Sequence, residues 1–62
     1  MEPDKREHWA NKSGVLTRMG SFGDALIAAE HAIRLDPEWG WAYLRKGEAV
    51  MKLGQHAEAV KV

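Results

Sequence analysis

The chain has 62 residues, nine of them basic and nine acidic, and no cysteine. A length of this order supports one small domain that buries only about 60% of its unfolded surface, so its own core leaves a thin margin of stability. Without cysteine there are no disulfides or thiolate metal sites, and the balanced, interspersed charge lacks the basic footprint that a nucleic-acid backbone or an anionic membrane attracts.

In chain order, Asp4 followed by Glu7 reads as a capping box, in which each side chain satisfies a free backbone N–H at a helix start. It predicts a helix over 5–19 with Trp9, Ser13 and Leu16 on one stripe, ended by Met19 and a Gly20 suited to the left-handed C-cap. Ser21 with Asp24 gives a second start signal, and Phe22 sits where it can close the corner between helices. The second helix, over 22–35, carries Ala25, Ala28, Ala29 and Ala32, which favour close helix approach over a bulky core. It ends before Pro37, which disfavours helical backbone at Asp36. A third helix is predicted over 38–53, with Tyr43, Gly47 and Val50 on its stripe. Gly54 is read as its stop, and a fourth helix as running over 55–62.

Sliding the sequence against itself by 34 residues aligns Pro3 with Pro37, Lys12 with Lys46, Gly20 with Gly54 and Ala25 with Ala59. Conservative pairs fall between them: Trp9 with Tyr43, Ser13 with Gly47, Leu16 with Val50, Met19 with Leu53, Asp24 with Glu58 and Leu26 with Val60. Ser13 facing Ala25, and Gly47 facing Ala59, are expected to be the points of nearest helix approach. Within a helix a glycine costs about 0.5–1 kcal/mol relative to alanine. Close packing supplies a reason for Gly47, whereas Gly14 has none beyond room in a groove.

A helical pair with this period, an aromatic, a small residue and a Gly-x(4)-Ala spacing resembles the tetratricopeptide repeat. The resemblance implies an all-α fold of antiparallel helix-turn-helix pairs stacked as a short superhelix of about two repeats, over 3–36 and 37–62, with the second cut short. Trp9-Ala-Asn-Lys-Ser-Gly14 is similar to the aromatic-x-Asn-Arg-Ser-Ala opening of the second repeat in clamp-type co-chaperones. Pro37-Glu-Trp-Gly-Trp-Ala-Tyr-Leu-Arg-Lys-Gly47 is similar to the opening of their third. Such domains bind the acidic carboxy-terminal tail of heat-shock chaperones, which makes a protein or peptide partner the expected one here. Asn11 holds the place of the clamp Asn and Arg45 that of the clamp Arg, whereas Trp41 stands in the Lys place. The first helix of each pair lines the concave face of such stacks, so the candidate peptide-binding residues are Asn11, Arg18, Trp41, Leu44, Arg45, Glu48 and Lys52, with Glu7 and Gly14 beside them. The plainer reading is a solvated helix face on which Arg45 pairs with Glu48 or Glu38, and of Trp39 and Trp41 one is expected in the core.

His8, His31 and His56 lie in different predicted helices without the spacing of a metal motif, and no nucleophile elbow or glycine-rich phosphate loop is present. No catalytic residue, metal or cofactor is therefore expected, and an enzyme is not. The opening residues have no apolar signal core, and no segment approaches the roughly 20 apolar residues of a membrane span; a cytoplasmic protein is expected. The alternative to peptide binding is a structural or self-assembling solenoid fragment. In that reading the apolar side of Tyr43, Val50, Val60 and Val62 is uncovered, and the chain associates as a dimer or higher oligomer.

Overall fold

A computed structural model describes the backbone of residues 5–60 and the side chains of residues 5–56. Three helices follow one another: α1 (Lys5–Met19), α2 (Phe22–Leu35) and α3 (Gly40–Val60). Among the described residues there is no strand. The all-α expectation holds, and the first two helices have the predicted bounds. Asp4, half of the expected capping box, lies outside the described residues, as do Pro3 and Val62.

The first corner is made by Gly20, whose φ of 85° is the left-handed backbone that residues bearing a Cβ resist. The Gly20 N–H donates to the Thr17 carbonyl (3.2 Å) and the Ser21 N–H to the Leu16 carbonyl (2.9 Å). This paired pattern closes the end of α1 and satisfies carbonyls that the helix leaves free. Ser21 is the residue before α2, yet its side chain makes no capping hydrogen bond. At the second corner Asp36 is extended (φ −149°, ψ 90°), as its position before Pro37 requires. Its carboxylate accepts from the Glu38 N–H (3.2 Å), and its carbonyl accepts from the Trp39 N–H (3.2 Å). That turn consumes Pro37 to Trp39, so α3 starts at Gly40, two residues later than the sequence suggested. Arg6 pairs with Asp36 and stacks over the Trp39 ring at 4.8 Å, tying this corner to the start of α1.

The core is built from small side chains. Ala10, Ala25, Ala28, Ala29, Ala32, Ala42, Ala49 and Ser13 are buried, and Ser13 is the largest fully buried side chain among the described residues. Ala10, Ala32 and Ala42 bring one residue from each helix to a common centre, sealed by the half-buried Trp9, Ile33 and Trp39. Of the two tryptophans beside Gly40, Trp39 is thus the packing residue and Trp41 is 44% exposed. Ser13 marks the close approach of α1 and α2, because its hydroxyl donates to the Ala25 carbonyl at 2.7 Å.

The second repeat departs from the predicted course. Gly54 does not stop α3, which runs without a break to Val60, and the expected boundary between helices at 53 and 55 is absent. The sequence differs at the decisive places. Gln55 and His56 stand where the first corner has Ser21 and Phe22. Gln propagates a helix well and is not a favoured N-cap residue, so the local signal for a fresh start is missing. Gly54 also lacks the positive φ of Gly20. Beyond it the His56 ring lies edge-on to Phe22 at 6.0 Å, a contact that the straight helix makes with the first corner.

Gly47 is corrected by the same geometry. It is exposed, a Cβ there would meet nothing within 4 Å among the described residues, and α3 does not turn back on itself, so Gly47 is not at a helix crossing. Leucine there has no neighbour to overpack. Gly47→Ala should raise stability by about 0.5–1 kcal/mol through helix propensity alone, read as a higher denaturation midpoint at unchanged slope.

Candidate functional site

Three of the candidate binding residues meet in one depression of about 260 Å³ between α1 and α3, lined by Asn11, Gly14, Val15, Arg18 and Arg45. Asn11, Gly14 and Arg18 recur at helical spacing on α1, which places them on one stripe. Arg45 reaches across from α3. A Cβ on Gly14 would stand 3.2 Å from the Arg45 Cζ and 3.3 Å from its Nη1, so the bare backbone at Gly14 is what admits the guanidinium. The room in a groove expected at Gly14 is thus filled by the Arg45 side chain.

Arg45 is held on two further sides. Its guanidinium lies over the Trp41 ring, 4.6 Å from the centroid, and Nη1 donates to the Glu48 carboxylate at 3.2 Å. Of the two local partners weighed for it, Glu48 is the one used. The Arg45 side chain remains 24% exposed, and its buried Nε has no hydrogen-bond partner among the described residues. A planar guanidinium fixed by a ring, a carboxylate and a neighbouring backbone keeps its remaining N–H groups pre-oriented, which lowers the entropy lost on gripping an anion.

The other candidates fall around the depression rather than in it. Leu44 is 51% exposed, Lys52 and Glu7 are exposed, and none of the three lines it. Val15, 54% exposed, does line it and was missed, because it lies off the polar positions that drew attention to α1. Gly14→Ala should favour helix yet push the Arg45 guanidinium aside by a few tenths of an ångström. Stability is expected to hold while anion affinity falls, as measured by paired melting and titration.

A second depression, of about 230 Å³, is lined only by α1 and α2, through Trp9, Lys12, Leu16, Asp24, Ile27 and Ala28. Lys12 lies over the Trp9 ring at 5.0 Å, and His31 stacks on the same indole at 4.3 Å. His8 meets that indole edge-on, and His56 packs on Phe22, so the three histidines serve aromatic contacts. Among the described residues no group of three His, Asp or Glu side chains could hold a metal ion. No helix there is long and apolar enough to cross a membrane.

Similar proteins share the sequence over nearly its whole length. The protein STIP1 homolog of Dictyostelium discoideum is 38% identical over 61 residues, 98% of this chain and 11% of that protein. Small glutamine-rich tetratricopeptide repeat-containing protein 2 of Mycosarcoma maydis is 30% identical over 61 residues, 98% of this chain and 17% of its own length. The Hsp70-Hsp90 organizing protein of Triticum aestivum is 34% identical over 59 residues, 95% of this chain and 10% of that protein. Over nearly its whole length the chain is thus similar to tetratricopeptide repeat-containing proteins. It spans between a tenth and a fifth of the length of these relatives. No family model matches the sequence, and no solved structure matches it. Set against a tetratricopeptide repeat, it has one closed helical hairpin, α1 with α2, followed by a helix, α3, that continues through the place where the next turn was expected.

Proposed function

We propose that this chain is a non-enzymatic, cytoplasmic interaction module that holds a carboxylate-bearing peptide of a partner protein in the depression between α1 and α3. The observation that carries the reading is the convergence of Asn11, Arg18 and Arg45 on one concave site. Two guanidinium groups and an amide there offer several N–H donors to an anion, and charge-assisted bonds of this kind are the strong ones. The likeness to the relatives named above makes the acidic tail of a heat-shock chaperone the first partner to try. Titration with a short acidic peptide ending in a free carboxylate, beside the same peptide amidated, tests the reading. The free acid should bind more tightly than the amide, and its affinity should fall as salt rises; equal affinity for the two removes the carboxylate from the account.

A second reading rests on a different face. Tyr43, Val50 and Met51 of α3 are each about half exposed, an apolar run that another copy of the chain would cover. Self-association through α3 predicts a melting temperature that rises with protein concentration and a sedimentation coefficient that does the same. A folded monomer at every concentration would sink it. Val60, part of the same expected apolar side, has its side chain outside the described residues.

A further inference from the structure

The way Arg45 is held says what kind of peptide end the depression takes, an inference that rests on the groove reading above. The site is weakly cationic. Arg18 and Arg45 supply two positive charges, and Glu48, on Arg45 at 3.2 Å, removes part of one. A single carboxylate is complementary to that balance, whereas a second one placed beside Arg45 would face Glu48 as a like charge. Trp41, which lies under the Arg45 guanidinium, carries no charge to offset a second anion. It gives an apolar face instead. Trp41 is 44% exposed, Leu44 follows it at i+3 and is 51% exposed, and Val15 lines the depression at 54%. Exposed apolar surface therefore borders the depression in which Arg18 and Arg45 can grip a carboxylate.

We infer that the depression recognises a chain end whose terminal carboxylate sits among Asn11, Arg18 and Arg45 and whose last side chain is bulky and apolar, lying against Trp41 and Leu44. A terminus of this kind carries both groups on one Cα, so a single residue satisfies the cation and the indole together. Burying a leucine side chain against that surface is favourable, while burying a carboxylate there is not. Trp41 is in this view a specificity-determining residue, and Gly14, by admitting the guanidinium that stacks on Trp41, is a positioning residue.

Three peptides of equal length and identical body separate the possibilities: one ending in leucine with a free carboxylate, one ending in aspartate with a free carboxylate, and the leucine peptide amidated. The leucine free acid should bind the 62-residue chain at least tenfold more tightly than either of the others. In Trp41→Lys that preference should invert toward the aspartate peptide; Trp41 is half exposed, and circular dichroism checks that the helices persist. If the aspartate peptide binds the unsubstituted chain as tightly as the leucine peptide, with both above the amide, the inference fails and the groove reading stands. If neither free acid exceeds the amide, both fail. A leucine preference that survives in Trp41→Lys overturns the role of Trp41.

Discussion

A Ser13→Leu chain is expected to melt far below its parent. Ser13 is fully buried where α1 meets α2, and its hydroxyl is 2.7 Å from the Ala25 carbonyl, so no space exists there for three further carbon atoms. Overpacking of this kind costs about 1–3 kcal/mol, and the lost hydrogen bond adds about 0.5–1.5 kcal/mol. In a domain of this size each kcal/mol moves the melting temperature by roughly 4–8 °C. With an alanine core and no large side chain fully buried among the described residues, little reserve offsets such a loss. Gly47→Leu is the built-in control, since Gly47 corresponds to Ser13 in the 34-residue alignment and has open space around it. Thermal melts of the two variants should diverge. Equal losses would show that Ser13 is not where the helices are closest.

The first hairpin was legible because every local signal agreed with its packing. Gly20 supplied the left-handed corner, the apolar stripe through Ser13 faced the alanines of α2, and Pro37 ended that helix at Asp36. The second hairpin was misread for a definable reason. Gly54 matches Gly20 by alignment, but glycine permits a turn without imposing one, and the residues after it, Gln55 and His56, extend a helix as readily as they would begin one. The nearest approach assigned to Gly47 fell with that turn. At the site, Asn11, Gly14 and Arg18 on one face of α1, and Arg45 facing them, followed from the resemblance to stacked repeats whose first helices line the concave face. The contacts that hold Arg45 in place did not. Stacking on Trp41 and the clearance over Gly14 depend on the distance between α1 and α3, which the small side chains at Ala10, Ala32 and Ala42 set and no local pattern encodes.

Arg45→Ala is expected to separate binding from folding. On the folding side its loss is small, because its pair with Glu48 is a partly exposed i,i+3 contact, the class worth about 0.2–0.5 kcal/mol. On the binding side Arg45 would contribute a charge-assisted hydrogen bond worth about 1.5–3 kcal/mol, so affinity for a free-acid peptide should fall by roughly one to two orders of magnitude. Arg45→Lys makes the argument sharper. Lysine keeps the charge but loses the flat face that lies 4.6 Å over Trp41 and the fork that reaches Glu48 and a ligand at once. If geometry rather than charge carries recognition, lysine should recover only a minor part of the affinity. Calorimetric titration of the parent and both variants with one free-acid peptide, each checked by thermal melting, gives the answer. Full recovery by lysine would reduce the site to a point charge, and an alanine variant that binds like the parent would take Arg45 out of it.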